Sequence, residues 1–215
     1  MYTGTLIPPD VRRGGLQIAA GFGAWYAVHG LLRKLRVFRD QTGELSAISL
    51  IHAVGATSCA VVRFPWDYGL ALCTSYFMYD SVYSYKRLKT DIRLHHACAI
   101  IVSVALRDDR EVEPLLPILA TLELSSIFLS SIYVLRHFNM ENTRAALVAK
   151  ALFAATFIAV RIIWLPPKLW REMSAGGALA GFGGASRAAL AALIGANFCW
   201  LPSIVRKIQR ALRGP

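Results

Sequence analysis

The sequence has few charged residues, and acidic ones are especially scarce. Charged residues make up 17% of the chain, whereas soluble domains usually carry about 25%. Asp and Glu number 13 against 24 Lys and Arg, and the mean hydropathy is +0.45. The charges sit in short clusters between long apolar stretches, which is typical of a polytopic membrane protein. This composition argues against a soluble domain.

Other patterns are missing as well, and each absence excludes a class of function. The Lys and Arg residues form no contiguous basic face, so the net charge of +11 indicates anionic lipid headgroups and not nucleic acid. The four cysteines lie inside apolar stretches without CxxC or Cys/His spacing, so we expect no metal site and no bound cofactor. The N-terminus, MYTGTLIPPDVRR, lacks the charged-then-apolar order of a cleavable signal. The first apolar stretch is therefore expected to act as an uncleaved targeting signal.

Seven apolar stretches predict an all-α fold, a polytopic membrane bundle of about seven transmembrane helices. The stretches are Gly14–Leu32, Ser46–Val62, Gly69–Tyr85, Ile92–Leu106, Leu115–Leu135, Ala145–Leu165 and Ala188–Val205. Pro166 and Pro167 are expected to end the sixth helix. Residues 1–44 would hold the N-terminal tail, the first helix and a basic loop, residues 45–205 a six-helix domain, and residues 206–215 a basic tail.

The distribution of positive charge predicts how the chain lies in the membrane. One set of alternating loops collects about twice as many Lys and Arg residues as the other set. Because cytoplasmic loops are the more basic ones, we expect a lumenal N-terminus and a cytoplasmic C-terminus. The acidic loop RDDREVEP then falls on the lumenal side.

Two adjacent histidines, His95 and His96, open the fourth stretch, DIRLHHACAIIVSVA. Asp91 lies four residues before His95, so the carboxylate and the imidazole share a helix face. Ionisable groups near hydrocarbon usually have a task or a partner. The cluster is therefore either a functional site or a set of interfacial hydrogen-bonding groups, and the residues alone leave both readings open.

Further polar side chains interrupt the apolar stretches. Tyr76 and Asp80 follow one face of the third stretch, and His52 lies in the second. Glu123 and Arg161 occupy the fifth and sixth stretches, and a buried charge needs an opposite one, so we expect them to form an ion pair.

These fragments, in this order, resemble the TLC domain of membrane proteins. The resemblance rests on SLIHA with His52, SYFMYD with Asp80, DIRLHH, ELSSIFL from Glu123 to Leu129, and FIAVRI with Arg161, and it runs from about residue 45 to 205. ELSSIFL and FIAVRI look closest to the small TLC-domain proteins of the TLCD type. The family includes the ceramide synthases, which join a fatty acyl-CoA to a sphingoid amine. Their second His-Asp element has no counterpart here.

The resemblance implies a barrel of helices around a lipid tunnel and leaves two functions open. The first is acyl transfer from acyl-CoA, as co-substrate, to a lipid amine or hydroxyl. His95 or His96 would then act as base or nucleophile, with Asp91 fixing the imidazole. The second is non-catalytic lipid binding that regulates membrane composition or trafficking.

The resemblance also implies partners and a location. The substrate-binding residues would be His52, Tyr76, Asp80, Glu123 and Arg161. A basic mouth would attract a coenzyme A phosphate or an anionic lipid; it comprises Lys86, Arg87, Lys89 and Arg93. Membrane lipids are the expected partners, and the endoplasmic reticulum is the expected organelle.

Overall fold

A computed structural model describes residues 9–62, 65–84, 89–107, 116–174, 176–177 and 179–213. These residues form helices and turns and contain no strand, which confirms the all-α prediction for the described part of the chain. The helices are α1 (Pro9–Lys34), α2 (Gln41–Val61), α3 (Trp66–Tyr83), α4 (Thr90–Arg107), α5 (Leu116–His137), α6 (Arg144–Thr156), a π-helical segment (Phe157–Trp164), α7 (Leu165–Met173) and α8 (Gly184–Arg213). Lys86, Arg87 and the acidic loop after Arg107 lie outside the described residues.

Helix α6, the π-helical segment and α7 form one continuous helix, Arg144–Met173. The expected end at Pro166 and Pro167 is therefore wrong. The two prolines occupy the first turn of α7, and a proline is tolerated there because its missing N–H would have no partner inside that helical segment. Directly before the two prolines the backbone changes from π-helical to α-helical hydrogen bonding. A new first turn therefore begins inside the longer helix.

The helices close into a ring. Around it, α2 packs on α3, α3 on α4, α4 on α8, α8 on the π-helical segment, and this continuous helix on α5, which returns to α2. Helix α1 lies outside the ring against α3 and α2. Each helix of the ring consequently presents one face to its interior.

A buried polar network attaches α1 to the ring. Nε2 of His29 lies 2.8 Å from Oε2 of Glu44 on α2, and the hydroxyl of Tyr79 on α3 bonds to Nδ1 of the same imidazole. The indole of Trp25 donates to Oγ of Ser75 at 3.2 Å. Because these groups are buried, separating α1 from the ring would leave them without partners.

The outer surface of the ring is apolar. Large aliphatic side chains are exposed on α2, α4 and α6, namely Ile51, Val54, Ile101, Val104, Leu147, Val148 and Leu152. Water-soluble monomers rarely expose so much apolar surface. Helices Arg144–Met173 and Gly184–Arg210 are long and apolar enough to cross a membrane, by length and composition, within the part of the chain described. Other helices of the ring carry polar side chains such as His52 and Asp80, which lower their mean hydropathy.

Candidate functional site

The ring encloses a cavity of about 90 Å³ lined by α2, α3, α4, α5, α8 and the π–α7 helix. Since one water needs about 10–15 Å³ in the same measure, this space admits several heavy atoms of a ligand. Most of the lining is apolar. The polar side chains that line it are Cys59, Cys73, His95, Ser103, Glu123, Arg161 and Asn197.

The polar and apolar lining groups lie at different levels. Along α4, His95 precedes Val102 by seven residues, a rise of about 10 Å. On the continuous helix Arg144–Met173, the polar Arg161 likewise precedes the apolar Leu169. On α8 the apolar residue comes first, since Leu190 precedes Asn197. All three helices therefore pass from a polar end of the cavity to an apolar end, where the lining joins a cluster of buried leucines.

Arg161 is buried at the polar end and is bonded entirely to uncharged groups. Its guanidinium is not within 4.0 Å of Glu123, so the expected ion pair does not form as a direct contact, although both side chains line the same cavity. Instead the guanidinium donates four hydrogen bonds across to α5 and α8. The acceptors are Oγ of Ser125 at 2.8 Å, Oγ of Ser126 at 3.0 Å, the carbonyl of Leu122 at 2.7 Å and Oδ1 of Asn197 at 3.3 Å. The arginine thus holds three helices of the ring together.

His52 and Tyr76 lie behind the cavity and are not among the residues that line it. Their rings are stacked, with centroids 3.8 Å apart and planes 9° from parallel. The hydroxyl of Tyr76 hydrogen-bonds with Oγ of Ser49 at 2.8 Å. Nδ1 of His52 is 4.0 Å from Oε2 of Glu123, and its Nε2 is buried without a partner. His52 thus lies near Glu123, and neither ring lines the cavity.

Asp80 and His96 face each other between α3 and α4. Oδ2 of Asp80 is 3.5 Å from Nδ1 of His96, and Oδ1 accepts a hydrogen bond from Ser84 at 2.7 Å. Both side chains are buried, and neither lines the cavity. The carboxylate that faces an imidazole in this region is thus Asp80 and not Asp91.

His95 is the member of the histidine pair that lines the cavity. Its Nδ1 is buried without a hydrogen-bond partner, and its ring packs near Trp200 with centroids 5.4 Å apart. Asp91 does not orient this imidazole, contrary to the expectation. Its carboxylate lies in the exposed first turn of α4 and reaches α8 instead, where it accepts a hydrogen bond from Nε1 of Trp200 at 2.7 Å.

The structure therefore brings His95, Glu123 and Arg161 to one cavity and leaves His52, Tyr76, Asp80, Asp91 and His96 outside its lining. Sequence reasoning missed Asn197 and Trp200 on α8. Asn197 carries a signal that could have revealed it, since it is a lone amide in the apolar run ALIGANFCW.

Within the described residues, no three His, Cys, Asp or Glu side chains lie close enough together to hold a metal ion.

The two carboxylates next to the histidines should differ in their contribution to stability. Replacing Asp80 with Ala leaves Ser84 without its acceptor and His96 without its facing charge, in a buried place, so we expect a loss of about 1–3 kcal/mol. Asp91→Ala removes an exposed hydrogen bond and should cost under about 1 kcal/mol. Thermal unfolding of both variants in detergent measures the difference. Equal losses would contradict this assignment.

The exposed apolar exterior, the two helices long and apolar enough to cross a membrane and the interior cavity define an α-helical membrane protein with a site inside the ring that is apolar at one end and polar at the other. The family model of the TLC domain matches residues 46–206 of this chain. The chain therefore belongs to the TLC domain family, which consists generally of membrane proteins linked to lipid metabolism or sensing. Neither a search of curated proteins nor a search of solved structures returns a match.

Proposed function

We propose that this protein binds a single lipid chain inside the ring and acts in lipid metabolism or its regulation. One observation carries the proposal, namely the cavity that passes from buried leucines to His95, Glu123 and Arg161. A hydrocarbon tail gains free energy by leaving water for such an apolar space, and a headgroup needs polar partners at the other end. We place the chain with the small TLCD-type proteins of the family, on the ELSSIFL and FIAVRI stretches.

All seven long helices would cross the membrane, since each carries at least one large apolar side chain that is exposed, aromatic on α5 and α8 and mostly aliphatic on the others. The basic ends would face the cytoplasm and the N-terminus the lumen of the endoplasmic reticulum. A protease tag inserted between Asp108 and Arg110 should then be protected in sealed vesicles and cleaved once detergent is added. Cleavage with the vesicles intact would overturn this orientation.

A second candidate function is acyl transfer, and one specific observation favours it. His95 lines the cavity with an unpartnered Nδ1, where it can take a proton from an incoming hydroxyl or amine. That oxygen or nitrogen would bond to the thioester carbonyl of an acyl-CoA. The carbon–sulfur bond would break, and the coenzyme A thiolate would leave with the proton.

Native mass spectrometry of the purified protein tests both candidates. A lipid mass that dissociates on activation supports the binding function. A covalent acyl mass on the wild type that is absent from His95→Ala would support His95 as a nucleophile. Release of coenzyme A thiol from acyl-CoA and a lipid alcohol, lost in His95→Ala and without a covalent mass, would support His95 as the base. If neither mass appears in protein purified from its native membrane, the lipid-binding proposal is wrong.

A further inference from the structure

The side chains at the polar end of the cavity differ in the number of hydrogen bonds that they make to other protein atoms. The guanidinium of Arg161 donates four hydrogen bonds to protein atoms. Glu123 has no comparable partner among the described residues. Its one contact with a basic nitrogen within 4.0 Å is Nδ1 of His52 at 4.0 Å, which is too long for a hydrogen bond. Arg161 therefore links the helices through its hydrogen bonds, whereas the Glu123 carboxylate remains able to accept hydrogen bonds from a ligand.

The Glu123 carboxylate faces the cavity. Its side chain is 16% exposed although it lies inside the ring. His95 lines the same cavity with its buried, unpartnered Nδ1. Since buried polar groups in native proteins are nearly always hydrogen-bonded, a ligand in this cavity is expected to supply the missing hydrogen to Glu123.

The charges around the cavity restrict what kind of donor fits. An arginine remains protonated in a protein, so Arg161 contributes one positive charge and the Glu123 carboxylate one negative charge. With neutral imidazoles these two formal charges of the lining cancel. Asp80 is a further buried carboxylate outside the lining, where it faces His96 and accepts a hydrogen bond from Ser84. An ammonium headgroup would add a second positive charge near Arg161, and a carboxylate or phosphate would add a second negative charge near Glu123. Either one would be costly in a water-poor interior, whereas an uncharged hydroxyl adds no charge.

We propose that the polar end of the cavity takes the uncharged hydroxyl head of a single-chain lipid, with Glu123 accepting its hydrogen bond and His95 beside it. This inference rests on the proposed lipid binding and names the chemical class of the ligand. Arg161, which the resemblance implied as a substrate-binding residue, instead contributes its charge to the cavity without contacting the head.

Three probes of equal chain length test this inference on the full-length protein in detergent, stripped of lipid. Hexadecanol, hexadecanoate and hexadecylamine are each titrated at a pH where the two charged probes are ionised, and binding is measured by native mass spectrometry. Hexadecanol should bind on the order of tenfold or more tightly than either charged probe.

The Glu123→Gln variant provides a sharper test. It keeps the size and an acceptor oxygen but leaves the charge of Arg161 uncompensated, so hexadecanoate should gain on the order of tenfold in affinity while hexadecanol changes little. Glu172→Gln removes a carboxylate that pairs with Lys168 outside the cavity lining and should leave the order of the three probes unaltered.

The outcomes separate this inference from the function on which it rests. If the wild type binds none of the probes, the lipid-binding proposal fails and this inference fails with it. If the wild type binds hexadecanoate or hexadecylamine as well as hexadecanol, lipid binding stands and the uncharged head is ruled out. If Glu123→Gln leaves the probe order unchanged, Glu123 does not determine it.

Discussion

Arg161→Leu is expected to lower the free energy of unfolding by at least about 3 kcal/mol. The leucine would fill part of the space, but four acceptors on α5 and α8, two of them in buried and two in partly buried hydrogen bonds, would lose their donor at once. Arg161→Lys should also be strongly destabilised, because one ammonium cannot reproduce the fixed fork of a guanidinium. Thermal unfolding in detergent, followed by the loss of the monodisperse peak in size-exclusion chromatography, measures the effect.

Lys150→Leu is the matched control on the same continuous helix. Lys150 is exposed and donates one hydrogen bond, to the carbonyl of Glu141 at 2.9 Å. Its replacement should change stability by no more than about 0.5 kcal/mol. If Arg161→Leu were as stable as this control, the guanidinium would not be the tie between the helices, and its place in the cavity would need another explanation.

Ala99→Phe is expected to reduce the amount of lipid that copurifies with the protein on the order of tenfold. Ala99 lines the cavity on α4, one turn from His95. A phenyl ring at this position occupies the space that the proposal assigns to the lipid. Organic extraction of the purified variant and quantitative mass spectrometry, normalised to protein, give the amount retained.

Ala97→Phe is the control for Ala99→Phe, since Ala97 is on the same helix and exposed. It should retain as much lipid as the wild type. Unfolding curves for both variants are needed, because overpacking a buried site costs about 1–3 kcal/mol. A folded Ala99→Phe protein with an undiminished lipid content would contradict the assignment of the cavity.

The helices could be predicted from the sequence because apolar stretches of sufficient length have few alternatives in a membrane protein. Their bounds agree with the structure to within about five residues, except that Arg144–Met173 and Gly184–Arg213 both continue well past the predicted ends at Leu165 and Val205. In the helix Arg144–Met173, no sequence pattern indicated that a π-helical segment would let the chain continue past Pro166 and Pro167. Pro202 likewise lies inside α8 without ending it, so a proline alone does not mark the end of a helix in this chain.

The polar residues were identified more reliably than their partners. The sequence singled out His95, Glu123 and Arg161 as polar groups in apolar stretches, and the structure places all three in the cavity lining. Helical spacing, however, relates only residues on one helix. The partner of Asp91 is Trp200, 109 residues away, and the partners of Arg161 are neutral groups on two other helices. Such contacts depend on which helices are neighbours in the ring, and no local pattern in the sequence records that.

The central claim is that a lipid chain occupies the interior of the ring. The most direct test is photo-crosslinking of the membrane-embedded protein with a bifunctional hexadecanol whose photoreactive group lies along the chain, followed by peptide mapping of the adducts. We expect adducts on the inward-facing residues Leu70, Val102 and Leu190, and their loss in Ala99→Phe. Adducts confined to outward-facing residues such as Val54, Ile101 and Leu147 would show that the probe meets the protein only from the bilayer, and would contradict the claim.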